Sequence, residues 1–347
     1  MKSKPKLLII YTGGTIGMTE DMKTHSLRPF NFDHLIDNVP KIKMLDYDIR
    51  NVQFSEPIDS ACMNPSHWDD IARVIEGNYD SFDGFVVLHG TDTMSYTASA
   101  LSFMLENLDK PVIITGSQLP IGEVRTDGEE NLITALQIAA ARDSKGKPMV
   151  REVAILFENY LWRGNRSTKR SADNFNAFHS PNYPELAHIG LDIAFNRDAL
   201  HYEAPKEKLS VHYNFCTDVA VLFIYPGINR QSVNQILSTP GLRGVVMKSY
   251  GAGNGPTEAW FIDALKNAIK NNILIINTSQ CPNGSVIQNL YQTGKEIAEC
   301  GCLSGHDMTT EAALTKMMYL FGRYTDDIKE VKRQLSCSIC GEMTLHP

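Results

Sequence analysis

Four apolar runs in the first half of the chain, at residues 6–11 (KLLIIY), 85–88 (FVVL), 111–115 (PVIIT) and 153–157 (VAILF), each end in glycine or polar residues. This recurrence restricts the fold more than any other feature. Unbroken runs rich in Val and Ile fit strands covered on both faces, as in a parallel sheet. Between them lie helical stripes. Met94, Ala98, Leu101, Leu105 and Leu108 recur at three- and four-residue steps, and Leu132, Leu136 and Ala139 do the same further on. Ser66 reads as the N-cap of a helix over residues 67–76. Such strand–helix alternation predicts an α/β fold built on a doubly wound, mostly parallel sheet.

A less regular stretch follows at about residues 172–210, with several prolines and histidines. The alternation then resumes, with strands expected at 219–225, 244–247 and 273–277 and helices at 231–237, 258–270 and 310–321. A chain of 347 residues exceeds the usual single-domain size. The expectation is an N-terminal catalytic domain over 1–200 and a smaller C-terminal α/β domain over 201–347. No internal repeat stands out.

Bulk properties exclude some partners. A formal charge of −7 argues against nucleic acid or an anionic membrane, since both attract basic surfaces. No apolar stretch approaches the ~20 residues that span a bilayer. The run at 7–11 is too short for a secretion signal and leads into glycines, so a cytoplasmic location is expected. Seven cysteines, an odd number, then read as reduced thiols. Cys337 and Cys340 have the spacing of half a zinc knuckle, but Cys300 and Cys302 are too close for the other half, and only His306 lies nearby. No metal and no cofactor is expected.

Several of the motifs suited to chemistry fall just after predicted strands, at the carboxyl edge where ligands bind in open α/β sheets. The segment 12–17 (TGGTIG) lets the backbone turn sharply and exposes Thr15, although it lacks the spacing and the lysine of a phosphate loop. A threonine hydroxyl needs a base to become a nucleophile. In 89–93 (HGTDT), Thr91 and Asp92 set a hydroxyl beside a carboxylate, although locally either one reads as a helix cap. The segment 115–118 (TGSQ) is by itself a polar turn. Lys169, in 163–169 (RGNRSTK), becomes a base where burial or cationic neighbours depress its pKa; otherwise it is a solvated lysine. Asp59 and Ser60 offer an acceptor and a donor suited to a zwitterionic amino acid, or else form a turn.

In order and spacing these motifs resemble the asparaginase family, specifically its bacterial-type cytoplasmic (type I) branch. The resemblance runs from TGGTIG at 12–17 through HGTDTM, TGSQ, RGNRSTK and SYGAGN to DMTTEAALTK at 307–316. It implies that Thr15 is the nucleophile that attacks the side-chain amide of L-asparagine. It implies that Thr91, Asp92 and Lys169 form a second group that polarises a threonine hydroxyl and orients water, with lysine as base. Ser60 and Asp59 would hold the α-carboxylate end, Asp92 the α-ammonium, Thr91 an oxyanion through its amide, and Ser117 the substrate amide. It also implies a homodimer or homotetramer in which the C-terminal domain completes the neighbouring active site, with Asn254 reaching across.

The chain departs from the family pattern in two places. The flap after TGGTIG lacks its usual tyrosine, with His25 or Arg28 as stand-ins. Some type I relatives bind asparagine allosterically; the matching positions are Thr168, Lys248, Asn254, Ser279 and Cys281. Lys248 stands where an arginine is expected, and lysine lacks the two-pronged grip on a carboxylate. Three rival readings remain: an asparaginase-like amidotransferase subunit acting on misacylated tRNA, a relative that carries an extra N-terminal module; a nucleotide- or flavin-binding module; and an inactive asparagine sensor.

Overall fold

The structure, a computed structural model, describes residues 4–20, 27–29, 39–201 and 204–345. The chain divides into two units, Met1–Val211 and His212–Pro347.

The first unit is built on an eight-stranded sheet. Five strands run parallel: β1 (Lys6–Gly13), β2 (Asp48–Ile58), β3 (Gly84–Leu88), β4 (Val112–Thr115) and β5 (Val153–Phe157). Three antiparallel strands extend it beyond β5: β6 (Tyr160–Arg163), β7 (Ala187–Ile189) and β8 (Ile193–Phe195). The order across the sheet is β8-β7-β6-β5-β4-β3-β1-β2. Thus β1 feeds outward to β2, and the chain then returns past β1 to β3. That reversal opens a crevice beyond the carboxyl ends of β1 and β3, where α/β sheets take their ligands.

The expected helices are α1 (Pro65–Asn78), α2 (Met94–Met104) and α3 (Gly128–Ala140). Leu132, Leu136 and Ala139 of α3 bury themselves in one cluster with Leu7, Ile9, Val86 and Leu88 from the sheet. Each large side chain so buried contributes about 1.5–3 kcal/mol. The unbroken apolar runs are explained by the burial of β1 from Leu7 onward and of every residue of β3, β4 and β5.

Two local expectations are corrected. The N-cap of α1 is Asn64, whose side chain accepts from Ser66 N at 3.0 Å, and Pro65 opens the helix. The stripe over α2 stops at Met104, because Leu105 and Glu106 pair with Ser210 and Val211. The stretch read as irregular contains β7, β8 and one strand of a short hairpin, Phe178–His179, which pairs with Thr168–Lys169 just before it.

The second unit holds a four-stranded parallel sheet in the order β9 (Val219–Phe223), β10 (Gly244–Ser249), β11 (Leu274–Ser279) and β12 (Leu303–Ser304). Its helices are α4 (Arg230–Leu237), α5 (Ala259–Lys270), α6 (Gln292–Glu299), α7 (Thr310–Arg323) and α8 (Ile328–Leu335). Cys300 and Cys302 belong to its apolar core. Among the described residues no group of three or more His, Cys, Asp or Glu is arranged to hold a metal ion.

Candidate active site

The turn that carries Thr15 is fixed by backbone contact on two sides. Gly13 and Gly14 take φ of 138° and 87°, conformations that a side chain disfavours. A Cβ on Gly13 would lie 2.2 Å from Ile58 O at the end of β2, and one on Gly14 would lie 2.4 Å from Gly90 N beyond β3. The main chain of TGGTIG therefore passes directly against both neighbouring strand ends, and Thr15 opens a single 3₁₀ turn, Thr15–Gly17. Ile16 anchors that turn in the core.

Tyr11 braces the turn from below. Its buried phenol donates to Gly17 O at 3.0 Å, and burial pushes its pKa up to about 12. A tyrosine thus steadies this loop, but from β1 and not from the flap. Of the two flap candidates, His25 lies outside the described residues, and Arg28 pairs through its backbone with Thr19. The unbroken apolar run at 7–11 gave no reason to separate Tyr11 from its strand neighbours.

Lys169 reaches Thr91 and Asp92 across the sheet. Its Nζ donates to Thr91 Oγ1 at 2.8 Å and to Asp92 Oδ1 at 2.7 Å. These residues are 78 and 77 positions apart in sequence. The capping reading of Thr91 and Asp92 is overturned, because Thr93 occupies the N-cap position of α2 and gives its own hydroxyl to Ser60 O at 2.7 Å. The hairpin Thr168–Lys169 with Phe178–His179 presents the lysine. The segment before it is held by buried charge: Arg163 Nε donates to Glu152 at 2.6 Å, and its guanidinium lies 4.3 Å from the Tyr183 ring centre.

Ser60 is buried beneath this pair, and its hydroxyl accepts from Asp92 N at 3.3 Å. Asp59 is exposed and caps the short turn after it, accepting from Ala61 N at 2.9 Å. Ser117 is buried, and its hydroxyl makes no hydrogen bond. A Cβ on Gly128 would lie 3.2 Å from Ser117 Cβ, so this side chain packs at the start of α3. Gln118, next to it, comes within 3.3 Å of Thr91 Oγ1 through its Oε1. Asp127 fixes the TGSQ turn by accepting from Gln118 N at 3.0 Å and Leu119 N at 3.2 Å.

His89 is a functional neighbour that its residue type did not reveal. Trp68 Nε1 donates to Thr97 Oγ1 at 3.0 Å, and Thr97 Oγ1 lies 2.8 Å from His89 Nε2. The Gly90 carbonyl can only accept, so Nδ1 carries the ring hydrogen and donates it at 2.6 Å, and Nε2 of the neutral ring accepts the Thr97 hydrogen. This chain of bonds fixes the carbonyl just ahead of Thr91. Burial lowers the His89 pKa to about 4. The unfolded chain therefore binds more protons than the folded one between about pH 6.5 and 4, so stability falls as pH drops through that window. The loss should be on the order of 3 kcal/mol. Urea midpoints at pH 7 and pH 4 for the wild type and His89→Gln check this. An equal pH slope in both proteins would exclude His89 as the source.

The remaining candidates lie in the second unit, except Thr168. Asn254 follows β10 and accepts from Thr293 Oγ1 at 2.7 Å. Lys248 donates to Ser279 O, and burial lowers its pKa. Ser279 Oγ donates to Gly251 O at 2.6 Å and accepts from Cys281 N at 3.0 Å. These four residues cluster at the carboxyl ends of β10 and β11, while Thr168 sits beside Lys169 in the first unit.

Comparison with known proteins gives a consistent result over both units. The family described as "Asparaginase, N-terminal" matches residues 6–201, and "Glutaminase/Asparaginase C-terminal domain" matches residues 218–335. "L-asparaginase 1" of Escherichia coli strain K12 is 40% identical over 346 residues, covering 98% of both chains. A glutamyl-tRNA(Gln) amidotransferase component of Thermococcus kodakarensis is 34% identical over 98% of this chain and 77% of its own length. The crystal structure of L-asparaginase I from Vibrio cholerae superposes with a TM-score of 0.90 at 38% identity, covering 99% of this chain and all of that one.

Proposed function

The chain belongs to the asparaginase family, and from that premise we propose that it hydrolyses L-asparagine to L-aspartate and ammonia, with Thr15 as nucleophile. The observation that carries this reading is the bonding of Lys169 Nζ to both Thr91 Oγ1 and Asp92 Oδ1, at the same sheet edge that holds Thr15.

In the first step the Thr15 oxygen bonds to the amide carbon of asparagine. The C–N bond then breaks, and ammonia leaves with the proton that threonine gave up. In the second step water bonds to the carbon of the resulting β-aspartyl ester. The ester C–O bond breaks, and Thr15 recovers a proton. Thr91, Asp92 and Lys169 serve by polarising and orienting the groups that exchange protons, a parallel to the serine–histidine–aspartate logic. The amide of Thr91 is suited to steady the oxyanion. Asp59 and Ser60 bind the α-carboxylate end and Asp92 the α-ammonium, while Ser117 contacts the substrate amide.

The same reading extends to assembly and location. The second unit of a partner copy completes the site with Asn254, in a homodimer or homotetramer, and the enzyme works in the cytoplasm. No helix among the described residues is long and apolar enough to cross a membrane. Lys248, Asn254, Ser279 and Cys281 form a second, activating asparagine site in the second unit; Thr168, the fifth matching position, lies in the first unit.

Ammonia release by the purified chain, measured against L-asparagine and L-glutamine over a wide concentration range, tests these points together. A pocket fixed at both ends penalises one extra methylene by about 1–3 kcal/mol, so kcat/KM for asparagine should exceed that for glutamine by about tenfold or more. Comparable values would remove that specificity. A hyperbolic curve would remove the activating site. Ammonia release only with tRNA and a partner protein would favour the amidotransferase reading.

A further inference from the structure

Gln118 stands outside the residues given a role above, yet its side chain touches the hydroxyl at the centre of the second catalytic group. Its Nε2 donates to Asn174 O at 3.0 Å and more weakly to Ala172 O at 3.4 Å. Both partners are carbonyl oxygens and can only accept, so the amide orientation is settled and Oε1 faces Thr91 Oγ1 at 3.3 Å. Asp127 holds the Gln118 backbone from the other side, and Asn131 completes the support by donating to Asp127 at 3.1 Å and to Gly116 O at 2.9 Å.

A threonine hydroxyl has one hydrogen to give and two lone pairs to offer. At Thr91 one lone pair accepts from Lys169 Nζ, whose ammonium form has hydrogens only to give. The Thr91 hydrogen is then free to point either at Gln118 or at the reacting water. Gln118 Oε1 is an acceptor held in place by two bonds at its other end. We propose that Gln118 is a positioning residue that draws the Thr91 hydrogen to itself, leaving the second lone pair of Oγ1 to accept a hydrogen bond that orients the water attacking the acyl-enzyme, whose proton passes to the Thr15 oxygen as the ester bond breaks. At 3.3 Å the bond is longer than the usual hydroxyl–oxygen distance, so its effect is directional more than energetic. Gln118 also ties Thr91 to the loop that follows Lys169, because Ala172 and Asn174 lie within that hairpin. This inference rests on the hydrolase reading with Thr15 as nucleophile.

The test is Gln118→Met, similar in length but with no donor and only a weak thioether acceptor, alongside Gln118→Glu, which keeps an acceptor toward Thr91 but loses the bonds to Asn174 O and Ala172 O. Both are assayed with L-asparagine in water and with added hydroxylamine, a stronger nucleophile that depends less on an oriented Thr91. The expected result for Gln118→Met is a fall in kcat of roughly 5- to 10-fold, the scale of one net hydrogen bond. KM should stay within about threefold, and hydroxylamine should raise turnover proportionally more than in the wild type. Gln118→Glu should recover only part of kcat, because its acceptor is no longer held by bonds to Asn174 O and Ala172 O. The inference is overturned by a Gln118→Met kcat within about threefold of the wild type. It is also overturned by a loss that hydroxylamine does not relieve, which would mark a purely structural role. A wild type that releases no ammonia from asparagine would instead overturn the hydrolase reading, and this inference with it.

Discussion

Thr15→Ala should reduce ammonia release from L-asparagine by at least about 10³-fold, since losing the nucleophile of a covalent mechanism removes the whole acylation route. The turn around it should survive. Ile16 in the core, the bond from Tyr11 to Gly17 O, and the packing of Gly13 and Gly14 against Ile58 and Gly90 are all independent of the Thr15 hydroxyl. Lys169→Met should be nearly as damaging, with a loss of about 10²–10⁴-fold, the range of general acid–base assistance. It leaves Asp92 without its bonded cation and Thr91 without its donor. The two losses should differ in kind: Thr15→Ala stops ester formation, whereas Lys169→Met leaves a nucleophile able to form some ester slowly. Steady-state rates, mass spectrometry of trapped acyl-enzyme and a circular dichroism melt check this. Turnover near the wild-type level in a folded variant would remove that residue from the mechanism.

Glu342→Gln should cost about 3–5 kcal/mol of stability, because it strands a buried charge. Lys316 on α7 and Glu342 are both wholly buried, with Nζ 2.7 Å from Oε1. Lys316 gives its other hydrogens to Cys337 O at 2.5 Å and Leu335 O at 3.3 Å. Glu342 accepts from Ile339 N at 3.0 Å and Cys340 N at 2.9 Å. Burial raises the Glu342 pKa, but Lys316 and the two amides outweigh it and hold the carboxyl below its ordinary range. The contribution is therefore present above the ordinary carboxylate range and lost as pH falls through the depressed value. The pair closes the C-terminal segment around α7. The melting temperature of Glu342→Gln should drop by about 10 °C. Lys316→Met combined with Glu342→Leu should regain much of that loss, since an apolar pair leaves no charge stranded. A single variant within about 1 kcal/mol of the wild type would contradict the assignment.

Strands β1, β3, β4 and β5 were legible because burial on both faces leaves an apolar, Val- and Ile-rich run ended by glycine or polar residues, whereas β2, partly exposed along its length, shows no such run. Thr15, Thr91, Asp92 and Lys169 were legible as residue types after strands, but local pattern alone left Thr91 and Asp92 as caps and Lys169 as a solvated lysine. What separates those readings is a contact across more than seventy residues of chain, which no local pattern encodes. Tyr11 and His89 were not legible at all. The first looks like one more apolar position in a strand, and the second acts through Thr97 and Trp68, which lie on different helices. Gln118 was hidden for a similar reason, because its partners come from separate loops. The short strands β7 and β8 escaped because three residues give no period to read.

The obstruction at Gly13 and Gly14 comes from main-chain atoms of adjacent strands. Side-chain crowding can be relieved by trimming a neighbour elsewhere, but a carbonyl or an amide nitrogen is present whatever residue carries it. Saturation libraries at these two codons should therefore return glycine alone, with no suppressor recoverable at any other position. The dipeptide ahead of Thr15 is closed to stepwise change, and any descendant that loses it must rebuild the crevice from a different starting point.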